Sequence, residues 1–171
     1  MRWSDLFDDL EAQMTRADRD QFEADVAERL GAERAAVTLG ALVTASHGSE
    51  VRLTLLDGSL VTGGVVDAAP QWLVIAAGAR TRLIPVTAIA QLQGLGAGAP
   101  LPREVERRLS LGHALRAIMR DRAEVTVRAS GHAVSGRIAS VGADFFTLEA
   151  AGDAGPRVLP FAAILSVDAL V

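Results

Sequence analysis

The stretch that decides the fold is EVRLTLLDGSLVTGGVV, residues 50–66, which returns in altered form as EVTVRASGHAVSGRIAS at residues 124–140. In both stretches, apolar residues alternate with polar ones on either side of a glycine-containing turn, the period-two pattern of half-buried strands. Further matches follow at separations of 73 to 75 residues, Trp72 with Phe145 and Pro85 with Pro160. The sequence therefore predicts two copies of one small β-rich unit.

Each copy is expected to consist of a helix followed by five short strands. Asp57-Gly58 is a strong hairpin signal. Gly63 and its neighbour inside the second strand indicate a bend or a bulge. In the second copy, a helix over about 103–121 is predicted from the apolar stripe Leu111, Leu115, Ile118 and Met119. In the first copy, the helix is expected to end near residue 46. The predicted strands of the first copy are 51–55, 60–66, 72–76, 82–84 and 90–92.

The resulting fold class is α+β, mainly β: two tandem helix-plus-five-stranded small barrels with an N-terminal helical leader. The predicted divisions are an acidic leader at 1–33, a first helix-plus-barrel repeat at 34–93, and a second at 103–171. A Gly/Pro linker at 94–102 separates the repeats, because glycine and proline interrupt helices and strands.

Residues 51–67 resemble the first signature of the Sm/LSm family of small barrels, with alternating apolar positions, a glycine in the turn, a glycine in strand two and Asp67 after it. The resemblance implies an Sm-like barrel, with a generic SH3-like barrel as the alternative. The family's RNA-binding pattern is missing, because Ala68 to Gln71 contains no asparagine and Ile84-Pro85 replaces the late basic pair. The tandem layout, together with the leader, also resembles an uncharacterised group of actinobacterial proteins, and this resemblance implies no particular activity.

Composition limits the classes of function. Half of the 171 residues are hydrophobic, the mean hydropathy is +0.26 and the net charge is −4. All 17 basic side chains apart from histidine are Arg, and there is no cysteine. Residues 1–33 carry 10 acidic and 4 Arg side chains, whereas the remainder carries 11 and 13. No apolar run is long enough to span a membrane, so we expect a cytoplasmic protein that does not bind membranes.

Catalytic chemistry has no support in the motifs. A nucleophilic hydrolase needs a Ser beside a base that a third group orients, and His47, His113 and His132 lie in no such motif. Neither paired His nor closely spaced carboxylates indicate a metal. We therefore expect no enzyme activity, no catalytic residues, no metal and no cofactor.

A protein-binding role follows from the leader. Trp3, Leu6, Phe7 and Leu10 fall on one face of a helix and form an apolar stripe among acidic residues. Such a stripe can dock on the chain's own barrels or on another protein. Unpaired strand edges of small barrels also associate. The main hypothesis is a non-catalytic adaptor or regulatory scaffold that binds protein partners, or further copies of itself, through the leader and the barrel edges.

The alternative hypothesis is binding of RNA or single-stranded DNA by the second repeat. Its candidate contacts form a basic strip that could meet phosphates. A solvated face, or pairing with the acidic leader, is the competing explanation of this strip. Trp72 and Phe145-Phe146 are the aromatic positions at which one side chain could face outward to stack on a base. The residues of the strip are Arg103, Arg107, His113, Arg116 and Arg120.

Overall fold

The computed structural model describes residues 35–78, 80–95, 109–150 and 155–170. All the helices and strands named below belong to one compact unit, Thr38–Val171. The predicted leader at 1–33 and most of the predicted linker lie outside the described residues. No helix in the described part of the chain is long and apolar enough to cross a membrane.

The described chain is mostly β-structure. It consists of two groups of five strands, and one short helix precedes each group. A single 3-10 turn lies before the last strand of each group, at Val86–Ala88 and Phe161–Ala163. The helices are α1 (Leu39–Ala45) and α2 (Leu111–Arg120). The strands are β1 (Glu50–Leu55), β2 (Leu60–Ala69), β3 (Trp72–Ala77), β4 (Arg80–Pro85), β5 (Ile89–Gln93), β6 (Glu124–Ala129), β7 (His132–Val141), β8 (Phe145–Ala150), β9 (Pro156–Pro160) and β10 (Ile164–Leu170).

All ten strands form one antiparallel sheet in the order β5-β1-β2-β3-β4-β10-β6-β7-β8-β9. The first five strands and the last five follow the same internal order, because β10 stands beside β6 as β5 stands beside β1. The two groups meet where β4 pairs with β10, and we call this contact the joint. Strands β5 and β9 are the two ends of the sheet.

The prediction of two closed barrels, Sm-like or SH3-like, is wrong. A closed barrel would require the two outer strands of one group to pair with each other, β4 with β5 or β9 with β10, so that no edge is left. Instead, the outer edge of β4 pairs with β10, and the ladder continues from the first group into the second. The sheet is therefore open.

Each group of strands has its own apolar core, and the two cores exchange residues at the joint. Leu53, Ile75 and neighbouring side chains fill the first core, which also receives Leu165 from β10. Phe146 and Leu148 fill the second core, which also receives Trp72 and Leu83 from the first group. Burial of this kind is the main stabilising contribution in a fold, so the two groups stabilise each other.

Helix α2 is shorter than the sequence predicts. It begins at Leu111 and not near 103, because the Ser110 side chain accepts a hydrogen bond from the His113 amide and caps the first turn. Its predicted stripe is confirmed: Leu111 and Leu115 are buried, and Ile118 and Met119 pack against the second core.

Glycines inside β2 and β7 allow neighbouring strands to approach closely. A side chain at Gly63 would collide with the backbone of β3 at Ala76, and one at Gly136 would collide with the backbone of β8 at Glu149. The irregularities in register fall a few residues later, between Val65 and Asp67 in the first group. Glycine is thus required for close packing at Gly63, and the bulge that the sequence predicts is displaced along the strand.

Candidate interaction surfaces

The joint contains a buried ion pair between the two groups of strands. In the register of β4 and β10, Arg82 lies opposite Asp168. The Arg82 Nε donates to Asp168 Oδ1 at 2.8 Å, and its Nη2 donates to Oδ2 at 2.7 Å. The Ser166 hydroxyl donates to the same Oδ1 at 2.9 Å. With side-chain exposures of 21% and 9%, this bidentate pair is largely shielded from water and fixes the alignment of the two strands.

The apolar side of the joint carries three residues that are buried by contact between the groups. Leu83 is 5% exposed and Trp72 is 4% exposed, and both lie in the second core. The Trp72 indole donates to the Leu109 carbonyl at 3.1 Å. At the start of α2, the Leu111 amide donates to Gln71 Oε1 at 3.1 Å, and the Leu111 side chain is 7% exposed. The joint is therefore both polar and apolar.

Next to the ion pair, a groove of about 590 Å³ follows the polar face of the sheet. Its lining includes Arg80, Arg128, His132 and Asp57. Arg128 Nη2 lies 3.5 Å from Asp57 Oδ2, a longer and more exposed pair than that of the joint. The Ser59 hydroxyl and amide donate to Asp57 and hold the pKa of this carboxyl below its ordinary value. Three arginines and two aspartates line this groove, so it offers mixed charge and not a strongly basic surface.

The two ends of the sheet have strand edges that pair with no strand among the described residues. Within ranges 35–78, 80–95, 109–150 and 155–170, strand β5 pairs only with β1, and β9 pairs only with β8. Val158 on β9 is 64% exposed, which is unusual for a large apolar residue within a strand. Unpaired N–H and C=O groups along an edge are a template for another strand. These edges are the most distinctive surfaces in the described part of the chain.

The predicted aromatic positions differ in exposure. Trp72 is buried in the joint and Phe146 is fully buried, whereas Phe145 is 39% exposed. Phe145 is therefore the one of these three that faces solvent. It lies at the start of β8, next to the strand that ends the sheet.

Three residues of the predicted basic strip lie together on α2. His113, Arg116 and Arg120 are exposed on the face opposite Leu111 and Leu115. The Arg116 Nη2 also donates to the Gly142 carbonyl at 3.1 Å. Within the described ranges, the salt bridges are those of Arg82 and Arg128, so the three α2 residues form none there.

The other candidate residues lie outside the described ranges. These are Arg103 and Arg107 of the strip and the leader residues Trp3, Leu6, Phe7 and Leu10.

The histidines occupy exposed positions. His47 follows α1 in a turn, His113 lies on α2, and His132 begins β7. The ring of His132 lies 3.3 Å from the Ser130 carbonyl. Among the described residues, no histidine ring hydrogen bonds to a hydroxyl or carboxylate side chain, and no group of three His, Asp or Glu is arranged to hold a metal.

Sequence reasoning missed the ion pair of the joint. Arg82 and Asp168 are 86 positions apart, and neither belongs to a motif. No family model matches the chain, and no curated protein is similar enough to count as a relative.

Proposed function

We propose that this chain is a non-catalytic adaptor or regulatory scaffold that binds protein partners through the free edges of its sheet and through its leader. The observation that supports the proposal is that the two end strands, β5 and β9, each have one edge without a partner strand in the part of the chain that the structure describes, and that β9 exposes Val158. Addition of a strand to such an edge is a common mode of protein recognition, in which backbone hydrogen bonds give affinity and side chains give selectivity. The contribution of the leader residues and the cytoplasmic location stay predictions.

A cross-linking experiment tests this function. A photoreactive residue at position 158 is expected to capture a partner that one at position 60 does not, because Leu60 is equally exposed at 68% but begins β2, inside the sheet. The captured protein is then purified and its affinity is measured. Val158→Arg is expected to weaken binding about tenfold or more, as loss of a well-packed interface residue does. Leu60→Arg is the matched control.

The leader is tested with the same partner. Trp3→Ala combined with Phe7→Ala is expected to weaken the complex while the melting temperature of the sheet stays unchanged. A partner that binds the Val158→Arg chain and the leader double variant with full affinity would show that neither surface is the binding site.

The second candidate function is binding of RNA or single-stranded DNA by α2. It is favoured by the exposure of His113, Arg116 and Arg120 on one face without an ion pair in the described part of the chain. Fluorescence anisotropy with a random single-stranded RNA pool across a salt series measures it. Arg116→Ala with Arg120→Ala should reduce the affinity and make the salt slope shallower by about one for each lost phosphate contact. Arg52→Ala, on β1, is the control, and a salt-independent signal would exclude this function.

A further inference from the structure

Matching positions in the two groups of strands differ sharply in burial. Leu83 lies opposite Val74 across β3 and β4, and Val158 lies opposite Thr147 in the same place across β8 and β9. Leu83 is 5% exposed, whereas Val158 is 64% exposed. The difference has one cause: β10 covers Leu83 at the joint, whereas no strand among the described residues lies beside the outer edge of β9.

Two further pairs behave in the same way. Trp72 is 4% exposed and its counterpart Phe145 is 39% exposed. Leu111, at the start of α2, is 7% exposed, and its counterpart Leu39, at the start of α1, is 41% exposed. Val158, Phe145 and Leu39 are thus exposed apolar residues, and the joint buries the residue that corresponds to each of them.

The exposed counterparts belong to different groups of strands. Val158 and Phe145 belong to the β9 end, as Leu83 and Trp72 belong to the β4 side of the joint. Leu39 begins α1, which packs on β2 and β3 of the first group, and the end strand of that group is β5. The registers also match, because Leu53 pairs with Leu92 on β5 as Val127 pairs with Val167 on β10.

From this correspondence we propose that the partner of the free edges is a second copy of this chain. The β9 edge of one copy pairs with the β5 edge of the next, in the register by which β4 pairs with β10 within a chain. In that register Val158 lies opposite Leu92, and Phe145 packs near Leu39 of the neighbouring copy. This inference rests on the proposed edge binding and names its partner.

The backbone groups on the β9 edge fit this pairing. The Val86 amide donates to the Gln71 carbonyl across β3 and β4, and the Phe161 amide donates to the Asp144 carbonyl in the corresponding place. Hydrogen-bonded pairs alternate along an antiparallel ladder. The N–H of Val158 therefore points away from β8, toward an added strand.

Two differences in sequence between the free edges and the strands of the joint make the contact between copies weaker than the joint. Pro156 stands where β4 has Thr81, and proline supplies no N–H to the ladder. Arg157 corresponds to Arg82, but Gln93 stands on β5 where β10 has Asp168. An arginine opposite an amide replaces the bidentate ion pair. The association is therefore reversible and depends on protein concentration.

Because the two edges differ, the contact is heterologous, and each added copy leaves one free edge of each kind. Such a contact either closes into a ring or continues as an open chain, according to the rotation between copies. Sedimentation velocity of the full chain over a concentration series distinguishes these outcomes: a ring gives one defined large species, and an open chain gives a continuous series. Both support the inference.

Single substitutions at the edge test the surface. Val158→Arg is expected to leave the chain monomeric at concentrations where the unsubstituted chain associates, whereas Leu60→Arg associates normally. Gln93→Asp is expected to tighten association tenfold or more, because it restores the carboxylate opposite an arginine. Circular dichroism confirms that each variant is folded.

A charge exchange tests the register. Gln93→Arg places an arginine opposite Arg157 of the next copy and is expected to weaken association. Adding Arg157→Asp to the same chain should restore it. An unsubstituted chain that stays monomeric at every concentration would overturn the inference, and so would association that Gln93→Arg does not change. A monomer whose binding of another captured protein depends on Val158 would remove self-association and leave the proposed scaffold function intact.

Discussion

Truncation of Arg82 to alanine should destabilise the fold far more than truncation of any other arginine of the sheet. It removes two hydrogen bonds of 2.8 and 2.7 Å and leaves the Asp168 carboxylate, 9% exposed, with only the Ser166 hydroxyl. Breaking a buried pair costs about 3–5 kcal/mol, since a charge stays buried without its partner. Because the Arg82 side chain is 21% exposed, we expect a loss of stability at the lower end of this range, about 3 kcal/mol. For a chain of this size, that corresponds to a fall of roughly 6–12 °C in melting temperature.

Two matched controls separate this effect from the loss of an arginine in general. Arg128→Ala removes an exposed pair of 3.5 Å and should cost less than about 1 kcal/mol. Arg157→Ala removes the counterpart of Arg82 on the free edge and should change stability by about 0.5 kcal/mol or less. Urea denaturation is measured in the Val158→Arg background, so that association does not contribute to the free energy of unfolding.

A double-mutant cycle gives the refuting result. Asp168→Ala alone should cost about as much as Arg82→Ala, because it leaves the guanidinium without an acceptor, but it should cost little more when Arg82 is already alanine. Residues in contact typically show coupling energies of about 0.5–3 kcal/mol. Costs that add within about 0.5 kcal/mol would show that the two side chains do not stabilise the joint together.

Three further predictions use urea denaturation of the chain without the Val158→Arg change, at a concentration where it is monomeric. Leu83→Ala should cost about 2–4 kcal/mol, because it opens a cavity in the second core, whereas Val158→Ala should cost under about 0.5 kcal/mol in a dilute, monomeric chain; equal costs would contradict the difference in burial. Trp72→Phe should cost about 1–2 kcal/mol, since it removes the hydrogen bond to the Leu109 carbonyl and part of the packed ring; an unchanged stability would show that this contact is not formed in solution. Gly63→Ala should cost about 1–3 kcal/mol, because the methyl group has no room against β3, and a stabilised variant would contradict the close approach of the strands.

The local structure was largely predictable from the sequence. Alternation of Val51, Leu53 and Leu55 with polar residues predicted β1, and Asp57-Gly58 predicted the turn that follows. The period of the pattern decides which side chains can share one face, and this is a local property. The stripe on α2 was predictable for the same reason, although the cap at Ser110 set its beginning later than expected.

Whether the strands close into a barrel or form an open sheet was not predictable in the same way. Both a barrel and an open sheet require β4 to have an alternating pattern, and they differ only in which strand lies beside it. That choice depends on the pairing of Arg82 with Asp168 and on the burial of Leu83, contacts between residues more than 80 positions apart. Neither residue lies in a motif, so the family resemblance favoured the wrong architecture.

The candidate surfaces also differ in how far the sequence predicts them. The exposed face of α2 follows from helical periodicity, and His113, Arg116 and Arg120 lie there as the spacing predicts. The importance of Val158 does not follow from periodicity, because the same alternation places Leu83 in a buried site. Only the difference in neighbouring strands makes one residue buried and the other exposed.

The position of β10 in the middle of the sheet has a consequence for synthesis on the ribosome. It is the last of the ten strands to be translated, yet it lies between β4 and β6. At about 5–20 residues per second, the ribosome needs several seconds to make the chain between β4 and β10. During this interval Trp72 and Leu83 lack the cover of the second group of strands, and the β4 edge can pair with a strand from a neighbouring nascent chain. Slower translation between these strands therefore lengthens the time for which the β4 edge is exposed.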